Sequence, residues 1–173
     1  MPGSWESLNN QPNVNIDVML LLTDGSVLCH QCLTANWFRL LLDEHSDYAN
    51  GTWIPISPMP NNAPAGQNGP ANAPLYFASA VLRDGTVFCA GGEHNGGNVA
   101  DLLVAELYDP TTDLWMAIAT PPTWTHIGDG PSCVLPDGRL LLGCADTNSV
   151  PTATAIWDPG IGKLVRWWKQ PRR

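Results

Sequence analysis

The sequence predicts an all-β protein in which one small antiparallel sheet occurs three times. Three observations lead there. First, a phrase recurs: TDGSVLCHQ begins at Thr23, RDGTVFCAG at Arg83 and PDGRLLLGC at Pro136. Second, a pair of aromatic residues follows each phrase in the same order. Third, the 173 residues include 16 Gly, 16 Pro and 8 Trp but are only 14% charged, a mixture suited to short strands joined by turns. Self-similarity at a regular spacing marks a structure built from repeated supersecondary units.

The elements can be justified in order. Each copy opens on a strand-length apolar run: IDVMLLL at 16–22, YFASAVL at 76–82 and GPSCVLP at 130–136. The Asp-Gly pairs at Asp24, Asp84 and Asp137, spaced by 60 and 53 residues, then supply the positive-φ positions of a two-residue hairpin turn. SVLCH, TVFCA and RLLLG follow, apolar on both faces as interior strands are. After a variable loop, a third strand carries the first aromatic: Tyr48, Tyr108 and Trp157, which lie 24, 24 and 20 residues after the Asp. In YDPTTDLW and WDPGIGKLVRW an Asp-Pro turn comes next, where Pro fixes φ and Asp accepts from nearby amides. The second aromatic opens a fourth strand at Trp53, at Trp115, and at Trp167 or Trp168. Helical periodicity is not sustained anywhere; NWFRLLLDEHSDY at 36–48 is the best candidate for one or two helical turns.

A four-stranded sheet of this kind cannot bury both faces alone. Stacked radially on copies of itself, with aromatics filling the wedge between neighbours, it can, and the result is a β-propeller. The order of apolar strand, Asp-Gly, apolar strand ending in a double glycine, then Tyr-Asp-Pro and Trp resembles the kelch repeat. Ala90-Gly91-Gly92 is the fullest match to the kelch double glycine; His30-Gln31 and Gly143-Cys144 stand there in the other copies. GTWIPISPMP followed by APLYFASAVLRDGTVFCAGGEHN resembles kelch proteins of the galactose-oxidase-like group. The resemblance covers about residues 15–168. It implies a closed ring of six or seven blades. The copper-radical centre of that group needs a Cys-crosslinked Tyr, a second Tyr and two His. With three Tyr in the chain, two of them blade aromatics, only Tyr76 remains, and that centre is not carried over.

The expected domain is single: an orphan outer strand at 1–12, blade 1 at 15–60, blade 2 at 74–120 and blade 3 at 130–170. Three blades cannot close a ring, and open faces would expose apolar surface. GSWESLNNQP at 3–12 is similar to GTWIPISPMP at 51–60, so Trp5 resembles the second aromatic of a preceding blade. Two explanations stand side by side. A homodimer would form a six-bladed ring with no open edges, the orphan strand pairing with the last blade of the partner. Alternatively, the chain is a piece of a larger propeller.

Composition narrows the function classes. The net charge of −8 disfavours a nucleic-acid partner, which would be repelled. The one basic cluster, Lys169-Gln170-Pro171-Arg172-Arg173, is a short tail. No apolar run approaches the ~20 residues of a membrane span, so no membrane partner is expected. MPGSWESLNN lacks the basic segment and apolar core of a signal peptide, which places the chain in the cytoplasm by default. Five Cys at irregular spacing do not form a disulfide framework. The Cys29–Cys32 pair in CHQC has redox or half-zinc spacing, but Cys29 matches Cys89 in the next copy and reads as a buried strand residue.

Function in a propeller concentrates in loops at one end of the central channel. Here those loops include 58–76, 121–130 (PPTWTHIGDG), CHQCLTANW, GGEHNGGN and CADTNS. They place Tyr76, Glu93, His94, Asn95, Trp124, His126 and Asp129 as candidate ligand-binding residues. Trp37 and Trp124 could stack on a pyranose face while Asn and Asp bond its hydroxyls. The same residue types are common turn formers and packing residues in Gly-rich loops. The expected task is binding of a protein or carbohydrate, with no resident cofactor and no assigned catalytic residue. The rival is a saccharide-acting hydrolase or oxidoreductase with a divalent metal among His126, Asp129, Glu93 and His94. A third alternative is a self-associating fragment without a ligand.

Overall fold

The computed structural model describes residues 3–60, 72–145 and 153–160, and everything below concerns those residues. Their regular structure is entirely β, and none of it is helical. No helix is long and apolar enough to cross a membrane.

The repeats fold as consecutive sheets. Blade 1 is β1 (Ile16–Leu21), β2 (Val27–Gln31), β3 (Trp37–Leu41) and β4 (Thr52–Pro55), paired antiparallel in chain order. The next two strands are β5 (Pro74–Leu75) and β6 (Ala78–Val81), followed by β7 (Val87–Ala90). A short hairpin of β8 (His94–Asn95) and β9 (Asn98–Val99) precedes β10 (Ala105–Asp109) and β11 (Leu114–Ala117). Blade 2 is the sheet β6-β7-β10-β11, while β5, β8 and β9 form a small sheet of their own at its end. Blade 3 contributes β12 (Ser132–Val134), β13 (Leu140–Gly143) and β14 (Thr154–Trp157). Its fourth strand, expected around Trp167 and Trp168, lies outside the described residues.

Three expectations need correction. The 36–48 stretch holds strand β3 instead of helical turns, because Trp37 to Leu41 pairs with both β2 and β4. Tyr48 is consequently not on the third strand. Register puts Leu40 opposite Val27 and Trp53, the place that Tyr108 takes between Val87 and Trp115. Tyr48 sits in the β3–β4 loop, and its hydroxyl donates to the Gly25 carbonyl at 2.6 Å. The Asp-Gly turns are also one residue longer than expected. Gly25 N donates to Leu22 O (3.0 Å) and Leu22 N to Ser26 O (2.8 Å), with Gly25 at φ +85. This is a three-residue loop, a turn followed by a left-handed glycine bulge. The other two turns repeat it at Gly85 and Gly138. In each, the Asp carboxylate accepts from the amide two residues on: Ser26, Thr86 and Arg139.

The blades stack face to face. One core cluster joins Leu22, Leu28, Trp37 and Met59 of blade 1 to Phe77, Val87, Cys89 and Tyr108 of blade 2. A second joins Leu82, Phe88, Ala90 and Ala105 of blade 2 to Leu140 and Leu142 of blade 3, with Ile127 between. Residues directly opposite in a ladder share a face, so each blade turns one set of alternate residues forward and the other back. This is the arrangement of consecutive propeller blades. Two faces have no neighbouring blade among the described residues. On blade 1 that face carries Met19 and Leu21, both more than 60% exposed; on blade 3 it carries Cys133 and Ile156, also exposed.

Candidate functional site

The small sheet at the end of blade 2 positions the first group of candidate residues. His94-Asn95 and Asn98-Val99 are joined by Gly96-Gly97, both at positive φ (+57 and +86), the two-residue hairpin turn that glycine permits without steric cost. On the other side, Leu75 pairs with His94 and Pro74 with Asn95. Tyr76 directly follows β5. Its φ is +55, an uncommon conformation for an aromatic residue. That backbone turns the ring outward, 55% of the residue exposed, with its centroid 5.9 Å from the His94 ring and an interplanar angle of 76°. Glu93 stands beside His94, carboxylate to Nδ1 at 3.9 Å. Glu93 is fixed by its backbone: its amide donates to Leu75 O (3.0 Å) and its carbonyl accepts from Ala100 N (2.9 Å).

Tyr76, Glu93 and His94 therefore come together in one corner. Asn95 does not face it. Alternation along β8 points Asn95 the other way, where it is wholly buried and its Oδ1 accepts from the Ala73 amide at 2.9 Å. It tethers the approach to β5.

The second group lies on the segment leading into blade 3. Trp124 packs against the cluster between blades 2 and 3. His126 holds its Nδ1 3.0 Å from the Thr125 hydroxyl, and its carbonyl accepts from the Cys144 thiol at 3.5 Å. Asp129 is exposed. The two groups meet through backbone: Gly92 N donates to Gly128 O (2.8 Å), and Ile127 N to Leu102 O (2.9 Å). The approach is close enough that a Cβ on Gly91 would come within 2.6 Å of the Ile127 side chain. A Cβ on Gly128 would collide with the Ala145 carbonyl. The double glycine is thus required by packing, since Gly91 and Gly92 also sit at φ +77 and +127.

Trp37 is not available to stack on a sugar. It is completely buried, with ring centroids 4.8 Å from His30, 5.4 Å from Trp115 and 5.9 Å from Phe77. Sequence reasoning also passed over His30, which is buried with Nδ1 2.8 Å from the Asp17 carboxylate and Nε2 2.7 Å from Thr34 O. Its signal was available: a polar residue at the end of an otherwise apolar interior strand.

None of the five cysteines, which lie among strands and turns, is joined in a disulfide. Burial pushes the Cys29 thiol up to about 12, and desolvation with the nearby Asp17 charge raises Cys32. Both shifts oppose the thiolate that redox or zinc chemistry needs. Among the described residues, no three His, Cys, Asp or Glu converge as a metal cluster.

No family model matches the chain, and no curated protein does. Among solved structures, the chain is similar to YjhT, with 16% identity and a TM-score of 0.47, over 68% of this chain and 30% of that one. It is also similar to a fungal alcohol oxidase of the AA5 family in complex with copper, with 15% identity and a TM-score of 0.43. That match spans 80% of this chain and 28% of the oxidase. The chain thus spans less than a third of either protein. At these scores the likeness carries nothing about chemistry, and the all-β, consecutive-blade architecture stands on the chain's own sheets.

Proposed function

We propose that the chain is a binding module, carried on kelch-like blades, that takes a carbohydrate ligand at the corner formed by Tyr76, Glu93 and His94. In this reading two copies complete a six-bladed ring and present the corner twice. One observation carries the proposal: Tyr76 is held at φ +55 with the residue 55% exposed and its ring beside that of His94. Strained backbone that exposes a large aromatic is characteristic of ligand sites. An exposed aromatic face with a carboxylate and an imidazole at its rim suits a pyranose, whose C–H face stacks while its hydroxyls donate and accept. Exposed apolar faces on the first and last blades support completion of the ring.

A glycan array followed by calorimetric titration of the best hit tests the site. Tyr76→Ala is expected to weaken binding at least tenfold and leave the circular-dichroism melt near that of the parent. Absence of saccharide binding, or binding indifferent to Tyr76→Ala, contradicts it.

A further inference from the structure

His30 is a buried side chain whose two ring nitrogens both face acceptors. Nδ1 lies 2.8 Å from the Asp17 carboxylate and Nε2 lies 2.7 Å from the Thr34 carbonyl. A carbonyl and an ionised carboxylate accept and cannot donate. A neutral imidazole has one N–H and one lone pair, so either tautomer would set its lone pair against an acceptor at contact distance. Two ring protons satisfy both contacts; one does not. The ring is wholly buried, whereas the Asp17 side chain keeps 17% of its surface in solvent. A buried ion pair is sustained only where further hydrogen bonds complete it, and the Thr34 carbonyl completes this one.

The surroundings suit a cation. The His30 ring stands 4.8 Å from that of Trp37 and 5.1 Å from that of Phe77, nearly perpendicular to the latter at 89°. Aromatic rings attract positive charge at such separations. Charged and titratable groups reach the same face from each packed element. β1 gives Asp17, and the turn after β2 gives Cys32, whose thiol burial and the Asp17 charge raise. β3 gives Arg39, which is engaged by Asp24 and Ser26 at the hairpin. Blade 2 turns Cys89, Glu106 and Tyr108 toward blade 1.

Asp17 lies where the β1–β2 ladder shifts register, between the pairs Ile16–Gln31 and Val18–His30. Such a bulge re-aims a side chain, here toward the ring. Thr34 closes a tight turn at the end of β2. Its amide and its hydroxyl both donate to Gln31 O, at 3.2 and 2.9 Å, and Gln31 N donates to Asn36 O at 3.0 Å. Within that turn Leu33 sits at φ +60, a left-handed conformation that a bulky side chain rarely adopts. His30 thus ties the bulge in β1 to the strained turn after β2.

We propose that His30 is a charged clamp, protonated at both ring nitrogens at neutral pH, and that alkali frees the turn at 31–36 by removing one of the two protons. The remaining proton serves Asp17 or Thr34 but not both. A proton held in the fold stabilises the fold until pH rises far enough to remove it, so the clamp is closed while Asp17 is ionised and the ring holds both protons, and opens on the alkaline side. The inference stands apart from the ligand-binding reading.

Nitrogen NMR of protein labelled at histidine with nitrogen-15 tests it, His30 being identified by its ring contacts to Trp37 and Phe77. At neutral pH the parent is expected to show two ring N–H protons on His30, both protected from exchange. One N–H and one bare nitrogen would overturn the proposal. Asp17→Asn, whose amide donates to a lone pair, is expected to remove the Nδ1 proton and keep the Nε2 proton; retention of both would overturn the role of Asp17. In alkaline buffer the backbone resonances of residues 31–36 are expected to move in step with loss of the second ring proton, while those of the Asp84 and Asp137 hairpins stay. Loss of the ring proton without that movement would overturn the clamp.

Discussion

The two blade junctions differ in one respect that organises the molecule. Between blades 1 and 2 the wedge is filled and clasped. Trp115 packs against Trp37 and Tyr108, and Asp113 reaches back across the junction to accept from the Ser57 amide (3.0 Å) and hydroxyl (3.0 Å) while holding the Tyr108 hydroxyl at 2.9 Å. Between blades 2 and 3 the matching positions carry Ala105 for Trp37 and Ala119 for Ser57, and among the described residues these border an apolar cavity. A blade of this type closes on its neighbour through its fourth strand. The first three strands supply a face, while the fourth supplies the filler and the clasp.

That contrast can be broken at several points. The largest effect is expected from Trp115→Ala, which would give the first junction the cavity of the second. Loss of a packed tryptophan costs about 3–5 kcal/mol, measurable as a lower midpoint in urea with little change in slope. Next is Asp113→Asn. Asp113 sits at φ +56, a conformation Asn tolerates, so the substitution isolates the clasp from backbone strain. Exchanging one acceptor oxygen for a donor opposite Ser57 is expected to cost about 1–2 kcal/mol.

The clasp also predicts a pH dependence. Burial would push the Asp113 carboxyl up, but hydrogen bonds from the Ser57 amide, the Tyr108 hydroxyl and the Ser57 hydroxyl outweigh it and hold the carboxyl below its usual 3.8. A carboxyl depressed in the folded state stabilises fully above its unfolded value and loses that contribution as pH falls through the folded one. Stability should therefore decline below about pH 4, and the decline should be shallower in Asp113→Asn; equal slopes in the two proteins would contradict the assignment. The smallest effect is expected at the corner site. Tyr76→Gly removes a side chain from a left-handed backbone and should gain up to about 1 kcal/mol, while abolishing ligand binding.

Much of this fold was legible as repetition. The Asp-Gly words marked three hairpins, and Trp53 and Trp115 marked two fourth strands correctly. Blade 1 was misread because its extra residues fall between the third and fourth strands, not between the second and third. Tyr48 keeps the expected spacing from Asp24 only because the loop folds back to the Gly25 carbonyl, while Leu40 does the packing. The turn length was hidden as well. Asp-Gly spells both a two-residue turn and a three-residue loop with a bulge, and only the backbone pairing of Leu22 with Ser26 decides. At the corner, Tyr76, Glu93 and His94 were identifiable as loop residues, whereas the inward turn of Asn95 follows from a β8–β9 hairpin that the word HNGGNV could have announced. The cavity that the described residues form between blades 2 and 3 was invisible in sequence, since a cavity is a relation between positions and not a residue.

The central claim is that the junction between blades 1 and 2 is held by a filler, Trp115, and a clasp, Asp113, both supplied by the end of blade 2. Urea unfolding of the parent, Trp115→Ala, Asp113→Asn and the double variant measures this most directly. The expected result is that each substitution lowers the midpoint and that the two effects are coupled by at least about 0.5 kcal/mol, as neighbours sharing Tyr108 should be. Unchanged midpoints in both single variants would contradict it.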